Sequence, residues 1–168
     1  NKIILKKGLY TMIDIFICED NPKQLKLFTK YVSDTIMIEA LDMQIIHSTS
    51  DPHIILKEIL TTENTGVFFL DIDLKSDLNG LSLAQRIRQI QPRCFIIFIT
   101  SHSEMSFLTF QYKVEALDFI IKDTTDHIKS KIHECLLNVQ EKYTSLNNNV
   151  TKTYVINQAD KCITVDYD

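Results

Sequence analysis

Five short apolar runs, each followed by a segment with helical spacing, limit what this chain can fold into. The runs are IDIFIC (13–18), MQIIH (43–47), VFFL (67–70), FIIFI (95–99) and ALDFII (116–121). After the first run, Asn21-Pro22 supplies a helix start, and Leu25, Phe28 and Val32 follow on one face. Ser50-Asp51-Pro52 repeats the start signal ahead of Ile55, Ile59 and Leu60. Leu83, Ala84, Ile87 and Ile90 mark a third helix over 81–90, and Ser103-Glu104 opens a fourth carrying Phe107, Leu108 and Phe110. A fifth is predicted over 126–143, with Ile128, Ile132, Leu136 and Val139 inward.

Strands that are apolar on both faces need cover on both faces, so the pattern predicts a parallel sheet between two layers of helices. Right-handed crossovers then give a doubly wound α/β sandwich of five parallel strands. In such a sheet ligands bind beyond the carboxyl ends of the strands, where strand order reverses. A chain of 168 residues with 45% hydrophobic content can fill one core of this kind.

Composition narrows the function. A net charge of −4 argues against this stretch being itself a nucleic-acid contact surface, which needs an excess of Lys and Arg. Cys18, Cys94, Cys135 and Cys162 stand far apart, without a C-x-x-C pair, and read as reduced thiols of a cytoplasmic protein. No apolar stretch approaches the ~20 residues of a membrane span. Residues 1–11 read as an upstream extension outside the domain, which is expected over 12–143. The polar stretch TSLNNNVT suggests a linker over 144–152. Residues 153–168 then alternate as two β-prone segments around Gln158–Lys161, the expected first hairpin of a second, incomplete domain.

The polar residues at the predicted strand ends carry the chemistry. Strand one ends in Glu19-Asp20, strand three in Asp71, strand four in Thr100-Ser101 and strand five in Lys122. Three carboxylates on one edge repel one another unless a cation sits among them. Hard oxygen donors without a neighbouring His or Cys favour Mg2+, bound by a few carboxylates plus a phosphate oxygen. Thr100 is suited to hydrogen-bond a phosphoryl oxygen, and Lys122 to pair with its charge. The physical reading is a carboxylate at Asp71 that accepts a phosphoryl group as an acyl phosphate.

Taken in order, these strand ends resemble the signature of the receiver domain of two-component response regulators, which have the flavodoxin-like fold. The wording ICEDNPKQ, FFLDIDLKSDLNGLSL, IIFITSHSE and YKVEALDFIIKD is similar to that of the AgrA-type regulators of peptide quorum sensing, whose second domain is a LytTR DNA-binding module. The strands from Thr153 onward are similar to the start of such a module. The resemblance implies a phosphoacceptor at Asp71, Mg2+ held by Glu19, Asp20, Asp71 and the backbone carbonyl of Asp73, a switch hydroxyl at Thr100, a phosphate-pairing Lys122 and a switch aromatic at Phe119. It implies a sensor histidine kinase as partner, homodimerisation on phosphorylation and DNA binding through the second domain, with slow autodephosphorylation as the only turnover.

Two departures from the family pattern stand out. Asp123 follows Lys122 where most receivers have proline, and the loop from Asp71 to Gly80 lacks the usual proline and is one residue longer. Asp77 and Asn79 read as turn formers, Cys18 as a buried small hydrophobe, and His102 as a loop residue beside the site. Two rival functions use the same residues. A haloacid dehalogenase-type phosphatase would use Asp71 and Asp73 as its D-x-D pair, although that class places the pair on its first strand. A pseudo-receiver would keep the fold and bind partners without phosphorylation.

Overall fold

The computed structural model describes residues 12–105, 107, 111–148, 154–158 and 161–165. In chain order these form β1 (Ile13–Cys18), α1 (Pro22–Ile38), β2 (Met43–Thr49), α2 (Pro52–Glu58), β3 (Gly66–Leu70), α3 (Gly80–Ile90), β4 (Phe95–Thr100), β5 (Asp118–Ile121), α4 (Thr125–Asn148), β6 (Tyr154–Gln158) and β7 (Lys161–Val165). A 3-10 turn occupies Ser103–Met105. It lies where a fourth helix was expected; positions 106 and 108–110 of that segment, with Leu108 and Phe110, fall outside the described residues.

The first five strands make one parallel sheet in the order β2-β1-β3-β4-β5. This is the doubly wound, flavodoxin-like topology, with the reversal of strand order between β1 and β3. Every residue of β1 and of β3 is buried, which is why neither strand alternates in sequence. Phe16 and Phe68 stack at 4.9 Å across that pair. One cluster joins them to Leu83, Ala84 and Ile87 of α3 and to Ile55 of α2. Asp14, the one charged residue of β1, is buried as well and accepts hydrogen bonds from Gln44, Asn64 and Thr62.

Short polar side chains start α1, α2 and α3, the first two where a start was expected. Asn21 caps α1 by accepting from the N–H groups of Lys23 and Gln24, Asp51 caps α2 through His53, and Asn79 caps α3 through Ser82. The proline that follows Asn21 and Asp51 removes an N–H that the first turn leaves unpaired.

Element boundaries differ from expectation in three instructive places. β5 begins at Asp118 rather than Ala116, because Lys113 and Glu115 take left-handed conformations (φ 52° and 53°) just ahead of it. α2 stops at Glu58, where Thr61 N–H folds back on the Glu58 carbonyl and tightens the end. α4 continues to Asn148, so the first part of the stretch expected as a linker is helical. The chain divides into two compact units between Leu136 and Leu137. The second contains the antiparallel pair β6–β7, registered Tyr154 with Val165 and Gln158 with Lys161, in the span read as a hairpin.

Candidate functional site

Parallel register sets the site. Cys18 of β1 is level with Leu70 of β3, so the next residue on each strand, Glu19 and Asp71, emerges on the same edge. The pairing runs one step beyond the strands, since Asp71 N–H donates to the Cys18 carbonyl at 2.9 Å and Glu19 N–H to that of Thr49 at 3.1 Å. On the other side Thr100 is level with Ile121, and Lys122 N–H donates to the Thr100 carbonyl at 2.9 Å. Four adjacent strands, β1, β3, β4 and β5, thus deliver four polar residues to one line.

Glu19, Asp20 and Asp71 can each bring an oxygen within 4.8 Å of the others. Glu19 and Asp71 are only 1% and 6% exposed. The Lys122 ammonium lies between them, 2.7 Å from Glu19 Oε2 and 2.6 Å from Asp71 Oδ2, with the Phe28 ring 5.7 Å away. The other oxygens take backbone donors: Glu19 Oε1 accepts from Asn21 N–H at 3.0 Å, and Asp71 Oδ1 from Asp73 N–H at 3.3 Å.

Burial raises the Glu19 carboxyl above its ordinary value. The close approach and positive charge of Lys122, and the Asn21 N–H, oppose the rise, while the charge on Asp71 adds to it. Glu19 Oε2 is buried and, despite its short approach to Lys122, receives no well-directed hydrogen bond. A buried carboxylate oxygen with spare acceptor capacity, among all-oxygen donors, fits a hard divalent cation. The acids and Lys122 line a cleft of about 160 Å³, completed by Asn21, Gln24, Asp73, Lys75, Ser101 and His102.

The expected site residues divide by position. Glu19, Asp20, Asp71, Asp73 and Lys122 line this cleft. The Asp73 side chain is largely exposed and faces His102 Nε2 at 3.7 Å. Thr100 is fully buried at the end of β4, and its hydroxyl accepts from His102 N–H at 3.2 Å. Phe119 is half-buried and packs on Phe98, ring centres 6.0 Å apart and tilted by 48°. Cys18, read as a buried hydrophobe, is one: burial, reinforced by the charges of Asp51, Glu19, Asp71 and Asp20, pushes its thiol up to about 12.

The residues around the two departures are held by bonds of their own. Asp123 accepts from Thr124 N–H and from His127 at 2.7 Å, which together hold its carboxyl below the ordinary value. In the Asp71–Gly80 loop, Leu74 and Leu78 are buried, and Asp77 bonds His53 at 2.9 Å. Lys75 of this loop reaches Asp20 Oδ2 at 3.2 Å. His102 is held by Glu104 at 3.0 Å, and that bond, with the charges of Glu104, Asp73 and Asp71, raises its pKa. Lys75 was not singled out from the sequence, where an isolated lysine in a polar loop carries no pattern.

A five-stranded parallel sheet of this order, with acids and a lysine gathered at its carboxyl edge, places the chain among receiver domains. It belongs to the response regulator receiver domain family, whose sequence pattern matches residues 15–133. Among curated proteins it is 39% identical over 155 residues to accessory gene regulator protein A of Staphylococcus aureus, covering 92% of this chain and 65% of that protein. The Staphylococcus epidermidis protein of the same name is 39% identical over 156 residues, with the same coverage. The chain thus spans 65% of the length of these curated relatives. Among solved structures, the response regulatory domain of MrkE from Klebsiella pneumoniae superposes with a TM-score of 0.65 at 26% identity, covering 79% of this chain and 98% of that one. The REC domain of AraT from Geobacillus stearothermophilus gives 0.63 at 21% identity, over 80% and 97%, which is likeness of fold. Among the described residues no helix is long and apolar enough to cross a membrane.

Proposed function

We propose that Asp71 accepts a phosphoryl group from a sensor histidine kinase and that the acyl phosphate biases the domain between two states. The observation that carries this reading is the Asp71 carboxylate at the end of β3, paired to Lys122 at 2.6 Å and grouped with Glu19 and Asp20. Glu19, Asp20 and Asp71, with the Asp73 carbonyl, would hold Mg2+, which when bound neutralises charge on phosphoryl oxygens. In the transfer, a carboxylate oxygen of Asp71 bonds to phosphorus as the phosphorus–nitrogen bond of a phosphohistidine breaks, and the electron pair returns to the imidazole. Lys122 pairs with the arriving negative charge, and the Thr100 hydroxyl turns from the His102 N–H to donate to a phosphoryl oxygen. Phe119, packed on Phe98, follows Thr100, which couples the site to β5.

The similarity to accessory gene regulator protein A supports a transcriptional output in quorum sensing, with residues 12–143 as receiver and the strands from 153 as the start of a LytTR-like DNA-binding domain. Dimerisation on phosphorylation and a cytoplasmic location belong to the same reading. Here Asp71 is an acceptor that releases phosphate slowly, not the nucleophile of a fast phosphatase.

Incubation with acetyl phosphate and Mg2+, followed by intact mass and by phosphate release, tests the reading. One persistent phosphoryl group, absent in Asp71→Asn, is the expected result. Rapid multiple turnover would favour the phosphatase, and no modification even by a histidine kinase would leave a pseudo-receiver.

A further inference from the structure

The three acids are shared between two lysines of different character. Lys122 serves the inner pair, Glu19 and Asp71, and its side chain is 6% exposed. Lys75 serves Asp20 alone, at 3.2 Å, and is 85% exposed. The backbone that carries it is nevertheless anchored. Leu74 before it and Leu78 after it are each 4% exposed and belong to the core cluster that contains Phe68 and Phe98. Ser76 N–H closes on the Leu74 carbonyl at 2.8 Å, and Asp77 is bonded both to His53 of α2 and to the Ser76 hydroxyl. The proline-free loop therefore presents Lys75 at the mouth of the cleft from a backbone anchored on both sides.

From this arrangement, and resting on the reading of Glu19, Asp20 and Asp71 as a Mg2+ site, we infer that Lys75 is a tethered counter-ion that competes with the divalent cation for Asp20. A cation shared by the three acids draws on the Asp20 carboxylate whose Oδ2 Lys75 holds, and two cations compete for that one charge, so uptake of Mg2+ releases the Lys75 ammonium into solvent. Lys122 remains beside Asp71, where the arriving phosphoryl charge needs it. Lys75 acts through Asp20 and is a positioning residue: it sets the Mg2+ concentration at which the site fills. An exposed ion pair of this kind shifts an equilibrium by about two- to fivefold, and salt screens it.

Calorimetric titration of the chain with MgCl2 tests this at ionic strengths of about 0.05 M and about 0.5 M. Lys75→Met is expected to bind Mg2+ about two- to fivefold more tightly than the parent at low salt, with the difference shrinking at high salt. Lys75→Arg should stay close to the parent, and in an Asp20→Asn background Lys75→Met should change nothing further. Equal or weaker binding by Lys75→Met at low salt, while the parent binds Mg2+, would overturn this inference alone. A parent chain that takes up no Mg2+ would overturn the metal site and this inference together.

Discussion

Gly80 lies directly against Asp71: a Cβ built on Gly80 would stand 1.9 Å from the Asp71 carbonyl oxygen, and Gly80 N–H donates to the Ile72 carbonyl at 2.9 Å. The start of α3 thus packs on the backbone that carries the phosphoacceptor candidate, and only a residue without a side chain fits. Gly80→Ala must push Asp71 or α3 aside. The expected cost is about 1–3 kcal/mol or more, with phosphorylation by acetyl phosphate slowed as well. Urea unfolding checks the first part, and an unchanged midpoint would contradict it.

Lys122 is the cation shared by two buried carboxylates, so its removal leaves their charges uncompensated. Lys122→Met is expected to lose about 3–5 kcal/mol at neutral pH. Saturating Mg2+ should narrow the gap, because a cation that binds only the folded state stabilises it, and does so more where Lys122 no longer compensates Glu19 and Asp71. The pH dependence has a definite sign. A carboxyl whose folded pKa lies above its unfolded value disfavours folding when ionised, so the deficit shrinks as pH falls through the raised Glu19 pKa. Denaturant midpoints measured across pH, with EDTA or MgCl2, give both comparisons.

His53 and Asp77 join α2 to the loop that carries Lys75. The bond to Asp77 raises the His53 pKa above 6.5, and the bonds from His53 and Ser76 lower that of Asp77 below 3.8. The His53 contribution is complete below 6.5 and is lost as pH rises through its raised folded value. The Asp77 contribution is present above 3.8 and is lost as pH falls through its depressed folded value. The pair therefore ties the loop to α2 between those two limits. NMR titration of the His53 ring should give a midpoint above the ordinary one, returning toward it in Asp77→Asn; identical midpoints would mean the bond does not persist in solution.

Arg88 of α3 donates to four main-chain carbonyls, those of Cys94 at 2.7 Å, Pro92 and Val114 at 2.9 Å and Glu115 at 3.1 Å. It fastens the left-handed Lys113–Glu115 turn ahead of β5 to the residues ahead of β4. Arg88→Met should cost about 2–4 kcal/mol, and Arg88→Lys should recover little, because an ammonium lacks the planar fork. Thermal unfolding of the two variants side by side decides it, and a lysine variant as stable as the parent would refute the geometric argument.

The sheet and the line of polar strand ends were legible because each rests on a repeating or positional signal. Apolar runs mark strands buried on both faces, and Glu19, Asp71, Thr100 and Lys122 are the residues where those runs end. The caps Asn21 and Asp51 were legible for a local reason, since an Asx side chain before a helical pattern has a specific N–H to bond, whereas Asn79, read as a turn former, caps α3. Lys75, Arg88 and the His53–Asp77 bond were not. Each joins residues whose meeting depends on packing between elements, and an exposed cation or acid in a polar segment has no periodicity to reveal its partner. Leu74 and Leu78 were passed over for a related reason: spaced four apart in a polar loop, they match no strand, yet both enter the core.

Those two leucines give the β3–α3 loop an unexpected dynamic character. A surface loop normally opens with little free energy, but this one cannot swing outward without withdrawing both side chains from the cluster around Phe68 and Phe98. Its motions therefore belong to the same cooperative unit as the sheet. In amide hydrogen exchange, Gly80 N–H, bonded to the Ile72 carbonyl, should be protected nearly as long as the central strands. The side of the cleft formed by this loop is accordingly a fixed wall rather than a flap, and on that side what reaches Asp71 meets a standing surface and the charge of Lys75.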